Sequence, residues 1–208
     1  KQVQQSKMKT AFHLNLSEND ISGKVISIDP SIGHIGWAIH EVKTYDKTTE
    51  LELLDYGTLL SNSSDMDTVH SNMKKLTELL NKHTPDYMII EDYIYIPGRT
   101  KGMFVVPGMI MLIKYEWYKF SKTEAFIVPS TVWKKTVIGT GSADKQMIRD
   151  TLKTILDQSI VNDIEKTYKT IRNGKKSDSG EQDCYDAIGI GMYFCYELLQ
   201  NKRLNQIF

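Results

Sequence analysis

The sequence predicts an α/β fold, a five-stranded mixed sheet flanked by helices. Two observations lead to this prediction. Three strand-like segments follow one another near the start, at residues 24–29, 35–42 and 51–60, with short turns between them. Beyond them, helical patterns alternate with two short apolar runs, at residues 87–91 and 125–128. A meander of three strands followed by helix–strand units is typical of a mixed sheet covered by helices.

The helices are predicted from the spacing of their apolar residues and from the residues that start or end them. In the first helix, Val69, Met73, Leu76 and Leu80 recur at helical spacing before Pro85 ends the element. Later helices are predicted at residues 107–120, 130–137, 142–156 and 181–200. We expect Ser130 and Ser142 to be N-caps. Residues 173–182 are polar, which predicts a mobile segment, and the last helix is expected to begin there.

With 208 residues, the chain has the length of a single domain with a sizeable core. We expect a polar N-terminal arm at 1–23, the folded domain at 24–203 and a short tail at 204–208. No apolar run reaches the roughly 20 residues of a membrane helix, and no signal peptide is apparent. The two cysteines, Cys184 and Cys195, stand too far apart on one helix to pair, which fits a reducing compartment.

Four carboxylates interrupt or end otherwise apolar segments. Asp29 and Glu91 each close a strand, and a right-handed crossover would make those two strands neighbours. Asp183 and Asp186 share the inward stripe of the last helix with Ala187, Ile190, Phe194 and Leu198. Because buried carboxylates need compensation, and oxygen ligands suit hard cations, the four acids indicate Mg²⁺ or Mn²⁺. Capping of the helix N-terminus is the alternative role for Asp183, but it explains Asp186 poorly.

The net charge is zero, but the charges are unevenly distributed. Residues 93–153 carry 10 Lys and Arg against 4 Asp and Glu, so this part of the chain is basic and the remainder acidic. A basic middle is a plausible electrostatic footprint for DNA or RNA. A solvated lysine-rich surface would give the same composition, and charge alone does not decide between them.

Several segments, in order along the chain, resemble the RuvC-type Holliday junction resolvases of the RNase H-like (retroviral integrase-like) superfamily. The similar segments are residues 27–31 running into 36–39, residues 89–91, residues 133–145 and residues 183–190. The resemblance implies an RNase H-like nuclease domain. It also implies a structure-selective endonuclease, a hydrolase that resolves four-way junctions by paired phosphodiester hydrolysis and leaves 5′-phosphate and 3′-hydroxyl ends.

By this resemblance, Asp29, Glu91, Asp183 and Asp186 are the catalytic and metal-binding acids, with two Mg²⁺ ions per site for which Mn²⁺ substitutes. The DNA-binding residues expected are Tyr93, Tyr95, Arg99, Lys101, Lys134, Lys135 and Lys145. Ile94 stands where the family carries a stacking aromatic, with a tyrosine on either side. Further departures are the N-terminal extension and the longer segment 157–182, and both are features of a phage or organellar variant.

The expected partners are branched DNA, a second copy of the chain in a homodimer, and a branch-migration helicase, with no membrane. The predicted dimer interface is the helix at 107–120, where Met109, Leu112, Ile113 and Trp117 form an apolar surface at helical spacing. The expected location is the cytoplasm of a bacterial or phage-infected cell, or alternatively an organelle. Three alternatives remain open: a nuclease for other branched DNA such as forks, flaps or packaging intermediates, a junction-binding protein that does not cut, and an ATP-binding domain of the actin/sugar-kinase type. The last normally needs a second similar domain, for which this chain is too short.

Overall fold

The computed structural model describes residues 11–12, 22–30, 34–45, 48–60, 66–94, 104–168, 170–172, 175–177 and 179–200. Their main sheet consists of β1 (Ala11–Phe12), β2 (Gly23–Pro30), β3 (His34–Tyr45), β4 (Thr48–Leu60), β5 (Tyr87–Glu91) and β6 (Phe126–Val128). The strand order is β1-β4-β3-β2-β5-β6. Strands β2, β3 and β4 form an antiparallel meander, and β5 and β6 add in parallel beyond β2.

Six helices and a small hairpin complete the described part of the chain. The helices are α1 (Met66–His83), α2 (Val105–Ser121), α3 (Ser130–Ile138), α4 (Lys145–Ile155), α5 (Gln158–Tyr168) and α6 (Ser179–Gln200). The hairpin pairs β7 (Thr170–Arg172) with β8 (Lys175–Ser177). None of the helices in the described ranges is long and apolar enough to cross a membrane.

The predicted fold class is confirmed, with a mixed sheet of five main strands and β5 beside β2. Four local predictions were wrong. The N-terminal arm contributes β1, which pairs with β4 at the sheet edge. Helix α2 begins at Val105 rather than at Pro107. Asp144, not Ser142, caps α4, since its carboxylate accepts a 2.8 Å bond from the Met147 amide. Finally, Ser130 is the first helical residue of α3, and Pro129 holds the N-cap position instead.

The sheet has a buried core on each face, and β2 supplies alternate residues to both. Val25 joins the core that contains α4, α5 and α6, whereas Ile26 and Ile28 join the core that contains α1 and α2. Both sets are fully buried, so β2 is the central strand of the fold. Since side chains alternate along a strand, Ser27 and Asp29 share the α6 face with Val25.

Helix α6 is bound closely to the centre of this sheet. The Ser27 hydroxyl lies 2.7 Å from the Ala187 carbonyl oxygen and 3.2 Å from the Ala38 carbonyl oxygen, so it links α6 to β2 and β3. The buried His40 ring lies directly against Gly191, leaving no room there for a side chain. The predicted inward stripe is confirmed for Ala187, Ile190 and Phe194, while the Leu198 side chain lies outside the described residues. Both cysteines of α6 are buried and free.

Candidate active site

Two of the four acids lie at the carboxyl ends of adjacent parallel strands. In the register of β2 and β5, Ile28 pairs with Ile90, so the next residues, Asp29 and Glu91, emerge side by side. Glu91 also pairs with Val128 of β6, which places it between two neighbouring strands. The apolar runs of β2 and β5 form the buried centre of the sheet, and the carboxylates stand where those runs end.

Because Gly36 has no side chain, the backbone of α6 can approach β3 closely and place Asp183 beside Asp29. Gly36 is the partner of Asp29 in the β2–β3 ladder. A Cβ atom at Gly36 would lie 2.6 Å from the carbonyl carbon of Asp183, closer than any real Cβ contact. The backbone at Asp183 therefore rests on β3 directly beside Asp29, and Asp186 follows one turn further along α6.

The electrostatics of the carboxylates show that the other three acids all act on Asp29. The pKa of Asp29 is raised well above its usual value, first by burial and then by the charges of Glu91, Asp186 and Asp183. Burial raises the pKa of Glu91 to about 7, and the neighbouring charge of Asp186 adds to that rise. Burial raises the pKa of Asp186 to about 6. Such crowding favours the binding of a cation.

Two neutral side chains donate hydrogen bonds to this cluster. The Trp133 indole nitrogen donates to Glu91 Oε2 over 2.6 Å, and the Gln182 amide nitrogen donates to Asp186 Oδ1 over 2.8 Å. Each bond favours the charged carboxylate and lowers the pKa of its acceptor, against the effect of burial. The sequence interpretation missed both roles, although the i, i+4 spacing of Gln182 and Asp186 was a usable signal.

Basic residues from α3 and α4 flank the cluster. The positive charge of Lys134 lowers the pKa of Asp29, Glu91 and Asp186, and that of Lys145 lowers the pKa of Asp186. Lys135 is exposed on α3. Arg149, which the sequence interpretation did not single out, also lowers the pKa of Asp186. It lies one turn beyond Lys145 on α4, and that spacing would have found it.

The remaining predicted DNA-binding residues are placed only in part. Tyr93 is partly buried and packs against the core that contains α1 and α2. The other three, Tyr95, Arg99 and Lys101, lie outside the described residues.

The donor set of the cluster suits a hard divalent cation. In the described ranges, no group of three or more His, Cys, Asp or Glu side chains already stands at metal-binding spacing. Four carboxylates nevertheless converge on one sheet end, and neutral donors hold two of them. Oxygen-only donors of this kind suit Mg²⁺ or Mn²⁺ rather than zinc. Asp29, Glu91, Asp183 and Asp186 are the residues that would hold such ions.

Acids clustered at the ends of central strands suit metal-dependent phosphodiester hydrolysis, and comparison with known proteins gives the family. The family model described as crossover junction endodeoxyribonuclease RuvC matches residues 25–166. The chain therefore belongs to the RuvC family, which confirms the predicted family and enzyme class: a junction-resolving endonuclease, a hydrolase.

Curated relatives carry the same description at modest identity. The chain is 30% identical over 138 residues to crossover junction endodeoxyribonuclease RuvC of Rickettsia typhi, an alignment that covers 64% of this chain and 82% of the relative. It is 27% identical over 128 residues to the protein of that description from Prochlorococcus marinus subsp. pastoris, covering 60% of this chain and 76% of the relative.

Solved structures support the fold. Thermus thermophilus RuvC, solved with a Holliday junction substrate, gives a TM-score of 0.62 at 17% identity, covering 85% of this chain and 94% of that one. The fowlpox virus Holliday junction resolvase gives 0.53 at 15% identity, covering 85% and 99%. The yeast mitochondrial Holliday junction resolvase gives 0.52 at 15% identity, covering 88% and 84%.

Proposed function

We propose that this protein cuts four-way DNA junctions by metal-dependent hydrolysis at Asp29, Glu91, Asp183 and Asp186. The single observation that supports this best is the close packing of Asp183 on Gly36, the strand partner of Asp29. It brings the acids of α6 to the ends of β2 and β5. Nothing about the sheet core requires a carboxylate there, which supports a chemical role for these acids over a packing role.

Two Mg²⁺ ions, for which Mn²⁺ substitutes, would supply an activated water and stabilise the leaving 3′-oxygen, giving 5′-phosphate and 3′-hydroxyl ends. Asp29 is the proposed shared ligand, because it lies between Glu91 of the neighbouring strand and the two acids of α6. Glu91 would serve one ion, and Asp183 and Asp186 the other.

The DNA backbone would lie across α3 and the start of α4. Lys134 is half-buried beside the acids, and its ammonium group stands 5.6 Å from the centre of the Trp133 ring. Lys135 and Lys145 are exposed and available to phosphates. We also assign DNA contacts to Tyr93, Tyr95, Arg99 and Lys101, the residues that follow β5 in sequence.

Resolution of a four-way junction needs two symmetric cuts, which a two-fold homodimer would provide. The sequence suggested Met109, Leu112, Ile113 and Trp117 of α2 as the interface, and three of these were assigned wrongly. Helix α2 is apolar on two faces. Met109, Ile113 and Trp117 lie on the face that is buried in the core of the single chain. The outer face remains available, with the exposed Leu112 and, at 64%, 60% and 50% exposure, Met111, Tyr115 and Tyr118.

The dimer is tested by a charge on that outer face. Tyr115→Glu should give a monomer in analytical ultracentrifugation that nicks junctions singly, whereas Glu124→Gln, which alters an exposed charge beyond α2, should stay dimeric and make paired cuts. A parent protein that is monomeric at micromolar concentration would contradict the proposed dimer.

The activity itself is tested on a synthetic four-way junction, a flap and a plain duplex, with and without Mg²⁺. We expect Mg²⁺-dependent paired cuts in the junction and none in the duplex. Preferential cutting of the flap would assign the protein to other branched DNA, and tight junction binding without cutting would make it a binding protein. A branch-migration helicase as partner, and a location in the cytoplasm of a bacterial or phage-infected cell, complete the proposal.

A further inference from the structure

Two buried residues outside the acid cluster contact it through neutral hydrogen-bond donors. Trp133 is fully buried, and its indole N–H donates to Glu91 Oε2 over 2.6 Å. Gln182 is 1% exposed, and its amide N–H donates to Asp186 Oδ1 over 2.8 Å. The two acceptors come from different elements, Glu91 from β5 and Asp186 from α6.

The position of Trp133 is fixed by packing and not only by its hydrogen bond. A Cβ atom at Gly189 would lie 2.7 Å from the Trp133 ring, so α6 lies flat against the indole. The ring therefore sits between α6 and the end of β5. A side chain that is fixed on both sides can hold its acceptor at one place and one angle.

Gln182 is fixed in a similar way, by burial within the first turns of α6. Its Nε2 group reaches Asp186 one turn later, while its Oε1 atom is buried and has no hydrogen-bond partner among the described residues. An orphaned buried amide oxygen costs free energy. This cost would be offset if the amide orients the Asp186 carboxylate, or if its oxygen accepts a hydrogen bond from water held at the cluster.

The opposite face of the sheet contains two residues of the same kinds that do not contact the cluster. Trp117 of α2 and Asn72 of α1 are both fully buried, and neither the Trp117 indole nitrogen nor the Asn72 amide has a hydrogen-bond partner in the described part of the chain. Burial of a tryptophan or an amide is thus a general feature of this fold. Of these four residues, only Trp133 and Gln182 donate a hydrogen bond to a carboxylate of the acid cluster.

We propose that Trp133 and Gln182 are positioning residues, which hold Glu91 and Asp186 in the orientation that binds the divalent cations. This inference rests on the proposed function and goes beyond it, because it assigns the metal affinity to neutral donors outside the ligand set. Partners of this kind orient a ligand oxygen, and their loss typically weakens metal binding about 10-fold to 100-fold. Neither residue touches the DNA or the reacting phosphate in this proposal.

The first test compares Trp133→Phe with Trp117→Phe. Both changes shorten a fully buried tryptophan, but only the first removes a hydrogen bond to the cluster. Free Mn²⁺ is titrated against each protein and followed by electron paramagnetic resonance, without DNA. We expect the Mn²⁺ dissociation constant to rise about 10-fold in Trp133→Phe. It should stay within about two-fold of the parent value in Trp117→Phe.

The second test uses Gln182→Leu with Asn72→Leu as its control, in case Trp133→Phe does not fold. Each change replaces a buried amide by an apolar group of similar size. Gln182→Leu should raise both the Mn²⁺ dissociation constant and the Mg²⁺ concentration that half-saturates cleavage, with junction affinity unchanged. Excess Mg²⁺ should then restore most of the cleavage rate.

The outcomes separate this inference from the proposed function. If the parent binds Mn²⁺ and cuts junctions, but the members of each pair do not differ in metal affinity, the positioning role is wrong and the proposed function stands. If the parent neither binds Mn²⁺ nor cuts any junction, the proposed function fails, and the positioning role fails with it.

Discussion

The two faces of the central sheet are built in different ways. On the α1 and α2 face, large side chains such as Trp117 and Leu76 fill the space, and the elements stand apart by the width of their side chains. On the α6 face, the backbone of α6 approaches β3 directly at Gly36 and the buried His40 at Gly191. Close approach is what brings carboxylates from a helix and from strands to one point. The α6 face therefore uses glycine at its closest contacts, although Trp133 and Tyr185 fill other parts of the same face.

Buried polar groups on the α6 side of the sheet also differ from one another in their electrostatic environment. His40 is fully buried with neither ring nitrogen partnered among the described residues, and burial lowers its pKa to about 3, so it remains neutral. Near the strand ends, by contrast, burial raises the pKa of Glu91 to about 7. A group whose pKa lies near neutrality beside other acids is suited to cation binding.

The largest effect should come from the central acid. Asp29→Asn should lower the rate of junction cleavage by about three orders of magnitude, because it removes the proposed ligand shared by the metal ions. Junction binding should be nearly unchanged in a gel-shift assay. Asp92→Asn is the matched control, since that carboxylate is exposed beside Glu91. A cleavage rate within ten-fold of the parent would remove Asp29 from the site.

The close approach of α6 to β3 is tested by two glycine-to-alanine changes, one on the α6 face of the sheet and one in α2 on the other face. Gly36→Ala should displace Asp183 and reduce both cleavage and the free energy of unfolding, the latter by about 1–3 kcal/mol, since overpacking forces the backbone to shift. Gly108→Ala in α2 meets no atom within 4 Å and should stabilise the helix by about 0.5–1 kcal/mol. Urea unfolding of both variants measures the difference, and equal stabilities would refute the account of Gly36.

The sequence predicted the features that depend on local pattern. The strands, the inward stripe of α6 and the four acids follow from apolar periodicity and from its interruptions, and the pairing of β2 with β5 follows from crossover handedness. Trp133 was missed as a partner of the acids, because its contact with Glu91 joins residues far apart in the sequence. Gln182 was missed although its i, i+4 spacing to Asp186 is a local signal. The outward side of α2 was misjudged since both of its faces are apolar, and periodicity cannot tell which of them meets the core.

The crowded acids should make stability depend on pH when no metal is present. The pKa of Glu91 in the folded protein is about 7, above its usual 4.5. Between these two pH values, the folded state therefore holds a proton that the unfolded chain has released. Its contribution to stability is therefore lost as pH rises toward 7. His40 titrates in the opposite sense, and a comparison between variants cancels its effect.

Glu91→Gln removes that titration. The difference in free energy of unfolding between Glu91→Gln and the parent should therefore rise by on the order of 2 kcal/mol from pH 5 to pH 8 in EDTA. Glu78→Gln, at an exposed position of α1, should show no such gain. Thermal unfolding at the two pH values measures both, and Mg²⁺ should reduce the difference. If the free energy of unfolding changes equally in the parent and in Glu91→Gln between pH 5 and pH 8, Glu91 is not crowded by the other acids.

The smallest effect should come from the basic residues that flank the acids. Lys134→Ala and Lys145→Ala should each weaken junction binding and lower the slope of log affinity against log salt by about one unit, as expected for the loss of one phosphate contact. Lys74→Ala, at an exposed position of α1, is the control and should leave the slope unchanged. Fluorescence anisotropy with a labelled junction over a salt series measures all three. An equal loss of slope for Lys74→Ala would mean that DNA also lies along α1, on the face without the acids.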